Sequence, residues 1–551
     1  MEKFVLGVDY GTLSARAVLC STHNGRVIAQ AEQTYPHAVM DKCLPDGTPL
    51  PFGFQLQHPA DYVYALEMSV TRALQQSGID PAQVVGMALD FTGSTVIPLD
   101  KNGVPLCERE DMRSRPHAYV KLWKHRTAQK EADLLTALCQ KYQPDMLNEY
   151  GGRVGSEALF PKVLQVIEED PGVFALTDQF VEGGDYMLRV LTGESVRCTS
   201  MAALKAFYRK GKGYPDFLKE AHPAFDHPEN TFLRGRMCDP SEIAGYLTPE
   251  MACKLGLPAG IPVAGGHYDA HAAMYAVNVR GEGDAMMTLG TSSGLIFCDR
   301  RKSFVQGAVT TVWEADLPGT YGYASGQAAF GDMLGWYVNR AVPPQVTQDA
   351  QKAGLDVHAF LSREAEKLRP GESGLVALDW WNGARSCLMD GELSGLMLGM
   401  TLQTTPAHIY RALLESLAFG MRRMLDSYRD AGFDIRLLCA CGGISLKNPF
   451  FMQMLSDVTH LPIRTSKPAP AAAVGACMLA ATAAGEYKTL WDAMEHMNCL
   501  DEGMYHPNAD NARLYDRLYA EYLVLHDAFG LENNVMKRLR KLQLAVREEK
   551  Q

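Results

Sequence analysis

Near the N-terminus, short apolar runs at 4–8, 15–20 and 26–33 are separated by turn-forming clusters, which predicts three successive strands. Asn24-Gly25, between the last two, is a hairpin signal. Further strands are predicted over 84–89 and 96–99. The first ends at Asp90-Phe91-Thr92-Gly93-Ser94, and the second runs into Asp100-Lys101-Asn102-Gly103. Apolar positions at helical spacing occupy roughly 59–77, 117–141 and 156–169.

The texture changes at Leu257-Pro258-Ala259-Gly260-Ile261-Pro262-Val263-Ala264-Gly265-Gly266, a Pro/Gly-marked crossing into a buried strand. This places a boundary between a domain at 1–262 and another at 263–490, with a helical extension at 491–551. The second half predicts a helix from 406 to about 431 and a strand over 435–440 that runs into Cys441-Gly442-Gly443. A helix over 449–459 follows, then a small-residue helix over 471–484 that can approach its neighbours closely. After Tyr505-His506-Pro507-Asn508 the pattern is that of one or two surface helices.

Composition narrows the class. The 551 residues are 47% hydrophobic and 21% charged, ordinary for a globular protein, and the net charge of −11 argues against broad nucleic-acid binding. The basic run at 537–541 is soon followed by Glu548 and Glu549 and reads as a solvated helix face. No secretory leader and no apolar stretch of membrane-spanning length is expected. The 13 cysteines, an odd number without framework spacing, fit reduced thiols in a cytoplasmic enzyme. Cys439 and Cys441 would share one face of a strand as buried thiols rather than as a metal site.

Two segments repeat one design. Val8-Asp9-Tyr10-Gly11-Thr12-Leu13-Ser14 and Thr288-Leu289-Gly290-Thr291-Ser292-Ser293 each end a strand in a Gly-Thr-x-Ser turn and lead into another apolar run. Backbone N–H groups and hydroxyls in such a turn form a concave donor cluster for oxyanions. Two of them suggest similar halves gripping one phosphorylated ligand. Asp9, beside the first turn and followed by Gly11, Thr12, Ser14 and Arg16, can orient a hydrated divalent cation, although a turn-forming Asp is the plainer role.

Asp269, in Gly265-Gly266-His267-Tyr268-Asp269-Ala270-His271, opens a predicted helix. It is either the base for phosphoryl transfer to an alcohol or an ordinary N-cap. His267 and His271 stand one helical turn apart with no third metal ligand evident, which favours packing. Gly442-Gly443 permits a flat ligand against the backbone and Asn448 can read an amide-like edge, but a bare Gly-Gly turn is a weak signal. Lys205 is either a snorkelling side chain or a polyol contact, and Trp123, Trp380 and Trp381 either stack on a sugar or pack.

In their order these segments resemble the FGGY carbohydrate kinases of the actin and sugar-kinase superfamily, over nearly the whole chain. The resemblance implies an α/β fold of two ribonuclease-H-like domains of the actin/hexokinase type, with a nucleotide cleft between them. It implies ATP with Mg²⁺ as cofactors, a ketopentose as the small-molecule partner and no nucleic-acid or membrane partner, and it leaves a homodimer open. Asp90-Phe91-Thr92, Leu122-Trp123-Lys124, Asp379-Trp380-Trp381-Asn382-Gly383-x-Arg385 and Lys447-Asn448-Pro449 are similar to members acting on the 5-hydroxyl of L-ribulose in L-arabinose breakdown.

On that resemblance Asp269 would be the general base and Asp9 would hold the Mg²⁺–water shell. Gly11, Thr12, Ser14, Arg16, Gly290, Thr291 and Ser292 would serve the phosphates, and Gly442, Gly443 and Asn448 the adenosine. Thr92, Gly93, Lys205 and Gln327 would join Asp269 around the sugar. The chain departs from the pattern at Ala324, where a sugar-contacting Glu is expected, and at His125, where Asp is common. These departures keep D-ribulose, xylulose, ribitol and glycerol kinases open as rivals. A protein-binding ATPase and a sugar-sensing regulator are more distant alternatives.

Overall fold

The computed structural model describes residues 2–281 and 283–548. Its chain forms two compact units: Met1–Arg280 with Thr311–Gly322 and Ala469–Cys499, and Gly281–Thr310 with Tyr323–Pro468 and Leu500–Gln551. The packing is therefore interleaved rather than divided sequentially at 262 and 490.

In the first unit the central strand Phe4–Tyr10 pairs antiparallel with Ser14–Ser21 and parallel with Val84–Phe91. Val27–Thr34 extends one edge, and Pro262–Ala264 and Ile243–Tyr246 extend the other. Side chains alternate along a strand. Phe4, Leu6, Val8 and Tyr10 accordingly join a core with Tyr62, Leu66 and Val70 of the helix Pro59–Ser77. On the other face Gly7 admits the helix Ala471–Ala483, since a Cβ at Gly7 would lie 2.1 Å from the Ala473 carbonyl oxygen. Asp9 shares the Gly7 face.

In the second unit Asp284–Leu289 pairs antiparallel with Ser293–Asp299 and parallel with Leu437–Cys441, the same arrangement as around Phe4–Tyr10. Ile463–Ser466 and Leu500–Tyr505 continue the sheet. The long helix Pro406–Asp430 is capped by Thr405, whose hydroxyl accepts the His408 N–H, and it buries Leu413, Leu417, Met421 and Met424. Cys439 and Cys441 are both buried.

The structure corrects two expected elements. The helix expected over 117–141 begins only at Gln129 and ends at Tyr142. Upstream, Val120–Lys121 is drawn into a small sheet with Leu56–Gln57 and Val96–Leu99, so strand pairing overrides the local periodicity. The expected surface helices near the C-terminus include Ala509–Asp527, which buries Tyr515, Tyr519 and Tyr522. The strand Leu500–Tyr505 also lies within the segment expected to be helical.

Candidate active site

Parallel strands of the first unit end together and concentrate acidic groups. Asp9 lies opposite Asp90, and His267 of the strand His267–Tyr268 pairs with Asp90 on its other side. Asp269 follows as the first residue of the helix Asp269–Ala276, where its Oδ1 accepts the Ala270 N–H at 2.7 Å. Burial, and then the charge of Asp9, raises the Asp269 carboxyl to about 7. Asp9 is raised chiefly by burial, against lowering contributions from Asp90 and Arg16.

Asp90 is fully buried and pushed well above the carboxylate range by burial and by the charge of Asp9. Its oxygens lie against Asp9 but make no hydrogen bond of ordinary geometry. Burial thus raises both carboxyls of this pair, Asp90 the more strongly. The nearby cation Arg16 is held by Glu32 at 2.7 Å. This uncompensated acid cluster fits a divalent cation chemically.

The Gly11–Ser14 turn is closed by the Gly11 N–H donating to the Ser14 carbonyl at 3.0 Å. Thr12 is gripped twice: Gln57 Nε2 donates to its carbonyl at 2.7 Å and Trp123 Nε1 donates to its hydroxyl at 3.1 Å. Ser14 Oγ and Arg16 both engage Glu32, at 2.6 and 2.7 Å. Of the residues expected at the phosphates, these two are already committed to a carboxylate.

Thr92, Gly93 and Ser94 form a turn just beyond Asp90. Thr92 Oγ1 and Thr95 Oγ1 lie 3.0 Å apart, and the Thr95 N–H donates to Glu182 Oε2 at 2.9 Å. A Cβ at Gly93 would meet the Tyr268 ring at 3.6 Å, so this glycine rests over that ring. Lys205 Nζ pairs with Glu157 at 3.2 Å.

Gln327, in the second unit, is buried. Its Oε1 accepts from Ser293 Oγ at 2.8 Å, and its Nε2 donates to Asp379 and to the Leu417 carbonyl, so its amide braces that unit's interior. His125 is buried with both ring nitrogens engaged, by the Gln55 N–H and by Gln165 and Thr127. Trp380 packs against His526, and Trp381 covers Gly395.

The second unit contains its own cavity of about 1250 Å³, lined by Gly290, Thr291, Gly443, Asn448, Ser362 and Tyr410 among others. It exceeds the usual range of ligand clefts, about 300–1,000 Å³. Gly290 donates its N–H to the Ser292 carbonyl at 3.1 Å, closing the second Gly-Thr turn. Gly442 has φ of 103°, and a Cβ there would lie 2.6 Å from the Leu289 carbonyl oxygen. At Gly443 nothing stands within 4 Å of such a Cβ. Asn448 caps the helix Pro449–Thr459 through Oδ1 and donates from Nδ2 to Ser362 Oγ at 3.1 Å.

Sequence reading missed Asp90, Lys162 and Asp316. Asp316 supplies the third group expected to be absent beside His267 and His271: its Oδ1 lies 2.5 Å from His271 Nδ1. The cluster is nonetheless not an open metal site. His267 Nδ1 accepts the Tyr268 N–H at 2.7 Å, and its Nε2 lies 2.9 Å from the Ala315 carbonyl oxygen, which uses both nitrogens. No helix among the described residues is long and apolar enough to cross a membrane.

Profiles of the FGGY family of carbohydrate kinases match residues 4–276 with their N-terminal domain and residues 285–484 with their C-terminal domain. The chain belongs to this family and is an ATP-dependent carbohydrate kinase, with a sugar and ATP as substrates. It is 42% identical to the ribulokinase of Anoxybacillus flavithermus (strain DSM 21510 / WK1), across 98% of this chain and 97% of the relative. It is 41% identical to that of Mycolicibacterium smegmatis, across 98% and 96%.

Among solved structures, xylulose kinase from Rhodospirillum rubrum superposes with a TM-score of 0.78 at 24% identity, covering 96% of this chain and 99% of that one. Glycerol kinase from Plasmodium falciparum, with ADP, gives 0.76 at 17% identity, covering 95% and 98%. These structures share the two-domain fold.

Proposed function

We propose that the protein transfers the γ-phosphoryl group of ATP to the 5-hydroxyl of L-ribulose, giving L-ribulose 5-phosphate and ADP in L-arabinose breakdown. The observation that carries the chemistry is the Asp269 carboxyl, raised to about 7 at a helix start beside the acid cluster. A base whose pKa lies near the operating pH accepts a hydroxyl proton efficiently. The choice of sugar is supported by relatives named ribulokinase that match along the whole chain.

In this reading Asp269 takes the hydroxyl proton and aims the sugar oxygen. Asp9 holds hydrated Mg²⁺, which neutralises phosphate charge. Gly11 and Thr12, with Ser14 and Arg16 released from Glu32, serve the phosphates from the first unit. The turn of Gly290, Thr291 and Ser292 is likewise assigned to phosphate, as the resemblance implies. Gly443 and Asn448 form the adenosine wall of the second unit's cavity, and Gly442 makes the turn that leads into it. Thr92, Gly93 and Lys205 face the ketose, whereas the Gln327 amide is spent on Ser293, Asp379 and Leu417.

One observation favours a second reading: Ala324 offers no hydrogen bond where a sugar-contacting Glu is expected. Losing one polar partner shifts selectivity by about 1–3 kcal/mol, enough to promote another pentulose or a polyol. An ADP-release assay with Mg²⁺-ATP across L-ribulose, D-ribulose, xylulose, ribitol and glycerol tests both. The expected result is the highest kcat/KM on L-ribulose, and a higher value on any other acceptor transfers the assignment to that acceptor.

A further inference from the structure

Lys162 lies in the middle of the helix Leu159–Glu169 and is wholly buried. Its ammonium donates to the carbonyl oxygens of Ser94 at 2.6 Å, Leu122 at 3.0 Å and Lys121 at 3.4 Å. An ammonium has three donors, and all of them are used on main-chain carbonyls. Burial pushes this lysine down to about 7, with the carboxylate of Glu182 acting in the opposite sense. A lysine kept inside the protein against such desolvation is a poor choice for stability alone, since an apolar chain of similar volume would pack there without that cost.

The carbonyls it gathers come from separate segments, and both lead to the site. Ser94 sits in the turn after Thr92-Gly93 with φ of 55°, a left-handed conformation that turns its carbonyl away from the regular strand path. Leu122 precedes Trp123, whose indole N–H holds the Thr12 hydroxyl at 3.1 Å. Glu182 accepts the Thr95 N–H of that same Ser94–Thr95 peptide group at 2.9 Å, and the Gly183 N–H donates to the Thr95 carbonyl at 2.7 Å. The Ser94–Thr95 peptide group that closes the turn is thus gripped at both its polar atoms, its carbonyl by Lys162 and its N–H by Glu182.

We infer that Lys162 is a positioning residue for the acceptor sugar: by clamping Ser94 and Leu122 it fixes the Thr92–Ser94 turn against the segment that carries Trp123. The inference rests on the proposed sugar role of Thr92 and Gly93. Its signature is kinetic. Losing the clamp loosens the sugar wall of the first unit while leaving the nucleotide cavity of the second unit intact.

The test uses the full chain with Mg²⁺-ATP and compares wild type with Lys162→Met, Lys162→Gln and Lys162→Arg. The expected result is a KM for the pentulose raised at least about tenfold in Lys162→Met, with the KM for ATP within about twofold. Lys162→Gln should be intermediate because it keeps two donors, and Lys162→Arg should recover part of the loss. Folded Met and Gln variants with unchanged pentulose KM overturn the inference, as does an equal rise in the KM for ATP. Failure of all three variants to accumulate as folded protein also overturns it, because Lys162 would then support the fold as a whole. A wild type that turns over no pentulose removes the substrate reading instead. The same KM comparison then applies to whichever acceptor it does phosphorylate.

Discussion

Asp9 and Asp90 face each other residue for residue across two parallel strands, and burial raises Asp90 more strongly than Asp9. Asp90 has no accessible surface and is pushed far above the carboxylate range by burial and by its neighbour, whereas Asp9 is raised by burial against the lowering effects of Asp90 and Arg16. Asp90→Asn removes the carboxyl that burial disfavours most as an anion. It should leave the Mg²⁺ concentration for half-maximal activity within about threefold of wild type. Asp9→Asn removes the proposed metal-orienting carboxylate and should raise that concentration at least about tenfold. Manganese titration of the ATP complex, followed by electron paramagnetic resonance, checks the same contrast without turnover. Equal losses of affinity in the two variants would show Asp90 to be charged.

The proposed base role of the elevated Asp269 carboxyl predicts a pH dependence for the reaction. A base must be ionised to accept a proton, so kcat/KM for the sugar should fall as pH drops below about 7, where this group takes up its proton. Asp269→Asn should lose about 10²–10⁴-fold in kcat and lack that acid limb, while its affinity for ATP stays unchanged. Near-normal turnover in the variant would move the base elsewhere.

The same shift links to stability, with the opposite sign from a salt-bridged acid. The folded carboxyl titrates near 7 and the unfolded one near its ordinary 3.8, so between these values the folded state holds the extra proton. Stability contributed by this group is therefore lost as pH rises from about 4 to 7. Asp269→Asn abolishes the loss. Its unfolding free energy should match wild type near pH 4 and exceed it above pH 7, by about 1–3 kcal/mol. Urea denaturation at both pH values measures it.

The adjacent glycines of the second unit should separate stability from binding. Alanine at Gly442 must adopt φ of 103° and push its Cβ toward the Leu289 carbonyl oxygen, 2.6 Å away. Strain of this kind costs about 1–3 kcal/mol, and thermal melting should show it. Alanine at Gly443 meets nothing within 4 Å but projects into the cavity. It should keep the wild-type melting temperature and raise the KM for ATP. Identical behaviour of the two variants would remove the cavity from the nucleotide-binding account.

Much of this was legible in the chain because it depends on local signals. The strand–turn–strand units at Asp9 and Gly290 announce themselves through glycine and hydroxyl residues placed between apolar runs. Asp269 stands out by opening a helix directly after a strand, and Gly442-Gly443 by joining the two kinds of element. Asp90 looked like the end of a strand, because its partner Asp9 is adjacent only through parallel pairing. Lys162 has helical spacing like any other residue of its helix, and only the tertiary arrangement shows that it points inward at carbonyls. Asp316 lies 45 positions from His271, so no spacing rule joins them. The helix misread over 117–141 fails for the same reason, since Val120 and Lys121 answer to strands elsewhere in the chain.

Packing also reaches the proposed base through small residues. Gly475, in the helix Ala471–Ala483, lies so close to the helix Asp269–Ala276 that an added Cβ would stand 1.9 Å from the Ala272 carbonyl oxygen. That atom is backbone, so the only relief is to move one helix from the other. Overpacking of this type costs about 1–3 kcal/mol. Because Asp269 opens the displaced helix, Gly475→Ala should lower kcat as well as the melting temperature. Gly485→Ala is the control: it lies just beyond the same helix at φ of 75° with nothing within 4 Å, so it carries backbone strain without displacing the helix pair. It should lower the melting temperature and spare kcat. If the two variants lose kcat in proportion to their loss of stability, the helix contact does not place the base.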